Sequence, residues 1–204
     1  MKLRSIEYSE FKGGPQEWIL DCVSLGDTNL LVGKNSAGKS RTLSVISSLA
    51  ERLAGKSVSS LSTSIYKAEF VSATGVTFLY ELQHHEDEVD HEKLTVDGTV
   101  RLMRGKGGVG KIYTEKLNTM LDFQAPTSVV AAAARRDEIQ HPYLEELYEW
   151  ASSFRSFKFG TSLGKNRFAI FTDAFGQKFD DTKSDEIVAL FKHALSKYGE
   201  RFRE

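Results

Sequence analysis

Residues 30–42 read LLVGKNSAGKSRT, and the rest of the chain can be interpreted outward from this stretch. The eight letters at 33–40 fit the pattern G-x-x-x-x-G-K-[ST] without a gap. The apolar run at 30–32 is typical of a buried strand, and the alternating stretch at 43–53 is typical of a helix. The sequence therefore predicts a glycine-containing turn that leads from a strand into the start of a helix.

Phosphate chemistry explains why these residue types occur at this spacing. A strand-to-helix turn directs several backbone N–H groups at one point, where the helix dipole also favours an anion. Lys39 adds positive charge near the β- and γ-phosphates of a nucleotide, and the Ser40 hydroxyl can bind Mg²⁺. We therefore predict binding of a nucleoside triphosphate, preferentially ATP with Mg²⁺. The predicted nucleotide-binding residues of this stretch are Gly33, Lys34, Asn35, Ser36, Ala37, Gly38, Lys39, Ser40 and Arg41.

Composition restricts the class of protein further. The chain has 204 residues, 40% of them hydrophobic, which is enough to bury a core in one domain or two closely packed lobes. Its net charge of −1 argues against a protein that binds nucleic acid through a large overall positive charge. The single cysteine, Cys22, excludes an intramolecular disulfide framework. Neither a signal-like N-terminus nor an apolar run of roughly 18 residues occurs, so we expect a cytoplasmic protein without a membrane partner.

Three strands are predicted ahead of the glycine-containing turn, at 1–11, 17–24 and 29–32. Two hairpins follow the predicted helix, one around residues 72–75 and one around the pair 97–98, which reads Asp-Gly. Their strands are predicted at 66–71, 76–82, 91–96 and 99–104. These strands predict a small antiparallel sheet inserted after the helix.

The remainder of the chain is predicted to be mainly helical. Residues 141–157 and 184–202 each carry apolar residues at helical spacing, and the apolar run at 128–134 is expected to rejoin the main sheet. We expect one lobe over 1–204, made of a phosphate-binding core at 1–56, an antiparallel insertion at 65–113 and a helical return segment at 127–204.

These patterns resemble the N-terminal lobe of an ABC-type ATPase head. They resemble heads of the RecF/SMC/OLD-like group, commonly described as AAA-family ATPases of bacterial repair and defence systems. The resemblance rests on Phe11-Lys12 after the opening strand, on residues 29–40, on YEL at 80–82 and on HEKLTVDG at 91–98. It implies an α/β P-loop NTPase fold with a mixed main sheet and an inserted antiparallel β-subdomain.

The resemblance also implies further site residues and partners. Lys12 matches the basic residue that approaches the nucleotide, and Gln140, with Gln124 as a second candidate, matches the glutamine that joins Ser40 at Mg²⁺. Implied partners are a C-terminal half or a second copy of the chain, DNA, and an effector protein of DNA repair or antiviral defence. Residues Phe191, Leu195 and Tyr198 of the predicted last helix are expected near a contact between copies.

Such heads continue into a half that carries a signature motif, a Walker B Asp-Glu pair and a switch histidine, and we find none of these. The nearest imitation of Walker B is the apolar run at 129–134, but two arginines separate it from Asp137-Glu138. A second imitation is the run at 169–173. We therefore expect ATP hydrolysis to need a missing C-terminal half or a dimer, with background turnover by this chain alone. The alternative is a regulatory module that binds nucleotide without hydrolysing it.

Three other patterns have simpler explanations. Lys106–Lys111, KGGVGK, imitates a second phosphate loop, but Ile112 stands where Mg²⁺ needs a hydroxyl. The stretches DAFG at 173–176 and TKSD at 182–185 imitate GTPase motifs but lie too close together. The histidine- and acid-rich stretch at 84–91 is expected to be a solvated loop.

Overall fold

The computed structural model of the protein describes residues 1–56 and 63–156, together with Leu195, Ser196 and Gly199. The chain divides into two compact units, 1–154 and 155–204. Nearly all of the described residues belong to the first unit. The predicted helix at 184–202, apart from three of its residues, and the motif-like stretches between 169 and 185 lie outside the described part of the chain.

The first unit is built on one antiparallel sheet. Its eight strands are β1 (Lys2–Glu10), β2 (Trp18–Ser24), β3 (Ser64–Val71), β4 (Thr77–His85), β5 (Glu88–Val96), β6 (Thr99–Arg104), β7 (Val109–Thr114) and β8 (Thr119–Gln124). They lie in the order β2-β1-β3-β4-β5-β6-β7-β8. The α-helices in the described residues are α1 (Lys39–Leu53), α2 (Ala131–Ala134) and α3 (Pro142–Ser153). None of these helices is long and apolar enough to cross a membrane.

Both predicted hairpins are confirmed. β3 pairs with β4 along their full length, and β5 pairs with β6 across the Asp97-Gly98 turn. Asp97 has φ 45° and Gly98 has φ 75°, so both central residues have the positive φ of a type I′ turn. The α/β composition is confirmed as well. β7 follows the predicted hairpin strands within the insertion, and β8 extends the sheet beyond the predicted end at residue 113.

The predicted division into a mixed main sheet and a separate antiparallel insertion is corrected by the pairing of β1 with β3. The two strands run antiparallel from the Lys2–Val71 pair to the Glu10–Ser64 pair, so the opening strands and the hairpins form a single sheet. Ile6 of β1 lies opposite Ala68 of β3, and both side chains are fully buried. Because both strands present an apolar face at the same period, a shared sheet buries them together.

The predicted strand at 29–32 is also corrected. Leu30 is 85% exposed and Val32 is 77% exposed, and the stretch pairs with no strand of the described residues. β1 already has β2 on one side and β3 on the other, so it offers no free edge to this stretch. The Asn29 side chain accepts a hydrogen bond from Gly26 N–H (2.9 Å) and donates one to the Gly26 carbonyl (3.1 Å), which closes a tight turn before it.

The apolar run at 128–134 forms no strand, contrary to the prediction. Its second half is α2, four consecutive alanines, the residue with the highest helix propensity. α2 lies beside the C-terminal end of α1, where a Cβ built on Gly55 would be 3.7 Å from Ala133 Cβ. The small alanine side chains permit this close approach.

One face of the sheet packs against α1 and α3. The fully or almost fully buried large side chains include Ile6, Leu49, Leu53, Phe70, Phe78, Tyr80, Leu82, Leu94, Leu102, Leu144 and Leu147. Burying each such side chain contributes about 1.5–3 kcal/mol. Phe70 also makes an edge-to-face contact with Trp150 of α3, with ring centroids 4.7 Å apart. The core therefore fixes α1, and with it the start of that helix, on the sheet.

A buried ion pair lies within this core. Glu92 Oε2 lies 3.2 Å from Arg104 Nε, and both side chains are completely buried. The Glu92 carboxylate also accepts hydrogen bonds from the N–H groups of Ala131 (2.6 Å) and Ala132 (2.8 Å) and from the Tyr80 hydroxyl (2.9 Å). Burial raises the pKa of Glu92, and the Arg104 guanidinium acts in the opposite direction.

Arg104 completes this network on its other side. Its guanidinium donates hydrogen bonds to the carbonyls of Pro126 (3.2 Å) and Val129 (2.7 Å). β5 and β6 thereby hold the connection between β8 and α2 through side chains of opposite charge. We infer that the ion pair has a structural role, because its two side chains hydrogen-bond to backbone groups of the connection between β8 and α2 and of the start of α2.

Candidate functional site

The loop at 33–38 turns sharply into α1. Ser36 has φ 65° and Gly38 has φ 88°, so two residues of the loop adopt the left-handed backbone conformation. Glycine adopts this conformation without steric cost, which accounts for the residue type at position 38. Ala37 N–H donates to the Lys34 carbonyl (3.2 Å) and closes the loop from inside. The predicted turn and the helix after it are present, but the strand predicted to lead into the turn is not.

The start of α1 has the properties of an anion site. The helix begins at Lys39, has Gly38 at its N-cap with no capping side chain, and has no acidic residue in its first turn. Thr42 N–H donates to the Gly38 carbonyl (2.9 Å). The N–H groups of the preceding first-turn residues have no acceptor within the helix. Their partial positive charge adds to the positive end of the helix dipole.

The Lys39 ammonium lies over the loop. Its Nζ donates to the carbonyls of Gly33 (2.7 Å) and Lys34 (2.6 Å), so the side chain is turned back across the turn from the first helical residue. An ammonium has three donors, and these two bonds use two of them. The third donor and the unneutralised charge remain for an anionic oxygen at the same place. The structure thus brings Gly33, Lys34 and Lys39 together in one loop. Their role in nucleotide binding stays a prediction.

Sequence interpretation missed a cluster next to this loop. A Cβ built on Gly38 would lie 3.6 Å from Trp18 Cζ2, and the Arg41 guanidinium lies 4.3 Å from the centroid of a Trp18 ring. Arg41 also forms an ion pair with Glu10 of β1. The only signal in the sequence is that Trp18 lies at the start of the strand predicted at 17–24 and Glu10 at the end of the strand predicted at 1–11.

The two other predicted site residues, Lys12 and Gln140, make the following contacts. Lys12 lines a groove of about 400 Å³ on the sheet face away from the helices, together with Ser9, Asp21 and Lys67. Gln140 donates its N–H to Asp137 Oδ1 (2.7 Å), and its carbonyl accepts from Glu115 N–H (3.0 Å) at the end of β7. These bonds hold Gln140 beside β7. Its predicted role at Mg²⁺ with Ser40 stays a prediction, as does that of Lys12.

The acids that imitate a Walker B pair lie in the turn before α3. Asp137 Oδ1 accepts hydrogen bonds from the N–H groups of Ile139 (2.9 Å) and Gln140, and these bonds lower the pKa of the Asp137 carboxyl. Arg136 forms an ion pair with Glu145 of α3 at 3.2 Å. The segment at 136–140 therefore has a local structural role. The helix that precedes it, α2, lies beside the C-terminal end of α1 and not beside the loop at 33–38.

The stretch at 84–91 is the expected solvated turn only in part, since residues 85–88 are exposed but positions 84 and 89 on either side of them are buried. It spans the end of β4 and the start of β5, and His84 is buried, with Nδ1 3.5 Å from Arg52 Nη1. Burial and the nearby charges of Arg52 and Arg104 lower the pKa of His84 to about 4. His84 is therefore neutral at pH 7. Within 1–56 and 63–156 no group of three or more histidine, cysteine or acidic side chains converges on a metal position.

Two of the glycines in this stretch, Gly108 and Gly110, have a packing role. A Cβ at Gly108 would overlap the Ala125 carbonyl, and a Cβ at Gly110 would overlap the backbone of Met103 and Arg104. Gly108 and Gly110 therefore permit close contact of β6, β7 and the residues after β8. This packing accounts for glycine at two positions of the KGGVGK stretch, and no bound ligand is needed to explain them.

No protein-family model, curated protein or solved structure matches the chain significantly. The functional assignment of the loop at 33–40 therefore rests on its residues and their geometry.

Proposed function

We propose that the chain binds ATP with Mg²⁺ at the loop 33–40. One observation carries the proposal: the Lys39 ammonium lies over the Gly33 and Lys34 carbonyls, at the uncapped start of α1, directly after a glycine with φ 88°. Backbone N–H groups, helix dipole and ammonium all favour negative charge at this point. Ser40, the second residue of α1, supplies the hydroxyl for Mg²⁺.

The test removes the Lys39 charge. We expect Lys39→Ala to weaken ATP·Mg²⁺ binding by roughly 10- to 100-fold, because a hydrogen bond to a charged group contributes about 1.5–3 kcal/mol. Isothermal titration calorimetry measures the affinity of both proteins. Lys56→Ala is the control, since Lys56 is an exposed lysine just beyond the other end of α1. Equal affinities for wild type and Lys39→Ala would remove the loop from the proposal.

We further propose that the chain is one lobe of an ABC/SMC-like ATPase head that serves DNA repair or bacterial defence. The exposed apolar side chains of Leu30 and Val32 support this. Beside them, a groove of about 650 Å³ is lined by Leu31, Leu43 and Ile46 among other residues. Exposed apolar surface of this kind marks an interaction site. A C-terminal half of the head, or a second copy of the chain, would cover it.

Self-association tests the second part of the proposal. We expect the wild-type chain to form dimers or larger assemblies at micromolar concentration, and the double variant Leu30→Asp with Val32→Asp to be monomeric, because a buried carboxylate is costly at an apolar contact. Multi-angle light scattering measures the mass. Leu117→Asp is the control, since Leu117 is 63% exposed in the turn between β7 and β8. A monomeric wild type would contradict the contact between copies.

A further inference from the structure

Three buried polar side chains lie together where the C-terminal end of α1 packs on the sheet. Arg52 lies in the last turn of α1, Ser64 is the first residue of β3, and His84 lies near the end of β4. Ser64 and His84 are opposite each other in the β3–β4 pair, and Arg52 Nη1 lies 3.5 Å from His84 Nδ1. Arg52 is 7% exposed and the other two residues are 1% exposed. We call these three residues the Arg52 cluster.

Each residue of the Arg52 cluster has one polar atom without a hydrogen-bond partner in the described part of the chain. These atoms are Arg52 Nε, Ser64 Oγ and His84 Nε2. A guanidinium can only donate, so His84 Nδ1 accepts in its contact with Arg52. Burial lowers the pKa of His84 to about 4, so the ring is neutral at pH 7 and its single proton lies on Nε2. The cluster therefore holds two N–H donors and a hydroxyl that lack an acceptor.

The positive charge of Arg52 is not balanced either. Among residues 1–56 and 63–156, Arg52 forms no ion pair with a carboxylate, whereas the buried Glu92 is paired with Arg104. Asp87, in the turn after β4, raises the pKa of His84 through its charge but is not an ion-pair partner of Arg52 in that part of the chain. A buried unpaired charge is costly, and a water molecule would accept hydrogen bonds without neutralising it. The acceptor that suits the cluster is therefore an anion.

The Arg52 cluster lies close to solvent although its residues are buried. His85 follows His84 and is exposed, and Thr63 Oγ1, next to Ser64, lies 2.9 Å from His85 Nδ1. Lys56, four residues after Arg52, is exposed as well. The route from solvent to the cluster is therefore short, and the close-packed core around it restricts a ligand to a few atoms.

We propose that the Arg52 cluster binds one small oxyanion of the size of inorganic phosphate or sulfate. Arg52 supplies the positive charge and the Nε donor, His84 supplies the Nε2 donor, and the Ser64 hydroxyl completes the set. Hydrogen bonds from a guanidinium to such an anion are charge-assisted and stronger than those between neutral groups. The cluster lies at the other end of α1 from the loop at 33–40. Oxyanion binding there is therefore independent of the proposed nucleotide site.

Phosphate binding by substituted proteins tests the site. Isothermal titration calorimetry with sodium phosphate is carried out on Lys39→Ala proteins, in which anion binding at the start of α1 is weakened. We expect one phosphate to bind, Arg52→Met to weaken this binding by roughly tenfold or more, and Ser64→Ala to weaken it by roughly 2- to 10-fold. Arg4→Met is the control, because Arg4 is a partly exposed arginine on β1. This control is expected to leave the phosphate affinity unchanged.

Nitrogen-15 NMR of the histidine rings reports on the same site with the cluster intact. We expect the His84 ring to be neutral with its proton on Nε2, and the Nε2 signal to shift when phosphate is added to the Lys39→Ala protein. His84→Gln identifies the signal by its loss. The same signal is expected not to respond to phosphate in the Arg52→Met protein.

The outcomes separate an oxyanion site from a structural cluster. The inference is wrong if the Lys39→Ala protein binds no phosphate, or if both Arg52→Met and Ser64→Ala leave the affinity unchanged. A His84 Nε2 signal that does not respond to phosphate would mean that buried water alone serves as the acceptor, which also contradicts it. If wild type binds no ATP but phosphate binds as expected, the nucleotide site is wrong and the oxyanion site stands.

Discussion

Replacement of Arg104 by methionine is expected to lower the free energy of unfolding by about 3–5 kcal/mol. Methionine fills similar space but leaves the fully buried Glu92 carboxylate without its cation. The carbonyls of Pro126 and Val129 lose their donor in the same step. Urea denaturation followed by circular dichroism measures the change.

The control is a second ion pair in the same sheet. Lys93 Nζ of β5 lies 3.3 Å from Glu81 Oε1 of β4, and both side chains are about one-third exposed. Solvent screens this pair, so we expect Lys93→Met to cost only about 0–1 kcal/mol. Equal costs for Arg104→Met and Lys93→Met would mean that the Glu92–Arg104 pair does not support the fold as its burial implies.

Substitution of Gly108 by alanine is expected to cost about 3 kcal/mol or more, the second large effect. Gly108 has φ +77°, where an L-residue is strained by about 1–2 kcal/mol, and the new Cβ would overlap the Ala125 carbonyl. Overpacking of this kind costs a further 1–3 kcal/mol or so, since a backbone carbonyl cannot move aside as a side chain can. Displacement of the Ala125 carbonyl would also disturb the hydrogen bond that Ala125 N–H donates to the Gly108 carbonyl (2.9 Å).

The neighbouring glycine separates backbone strain from overlap. Gly107 has φ +74°, nearly the same as Gly108, but a Cβ there would meet nothing within 4 Å. We expect Gly107→Ala to cost only the conformational strain, about 1–2 kcal/mol. Thermal unfolding of both variants gives the comparison. If Gly107→Ala were as destabilising as Gly108→Ala, contact with Ala125 would not be the reason for glycine at 108.

Much of the local structure could be predicted, because the residues of a short stretch determine its turns and helices. Asp97-Gly98 specifies a turn with two positive φ values, and flanking alternation specifies its strands. The helix after the loop was predicted from apolar spacing, although it begins at Lys39 and not at 43, because the polar first turn carries no apolar period. The residues of the loop at 33–40 were likewise identified from spacing alone.

Long-range placement could not be predicted in the same way. An apolar triplet such as 30–32 is equally compatible with a central strand and with an exposed segment, and the outcome depends on which edges of β1 are occupied. The alanine run at 131–134 has no period that distinguishes helix from strand, and its packing beside Gly55 arises only in the folded chain. Lys12 and Gln140 were inferred from resemblance, and their roles at the nucleotide and at Mg²⁺ stay predictions.

By itself, the sequence determined the hairpins, the helices α1 and α3, and the turn at 33–38 before α1, because each depends on backbone preferences and spacing within about a dozen residues. Only the tertiary structure decided that β1 joins the hairpins in one sheet, that Glu92 meets Arg104 in the core, and that Trp18 stacks on Arg41 beside Gly38. These contacts join residues far apart in the chain. They form because burial of one common apolar face selects a single register and strand order, which no local stretch encodes.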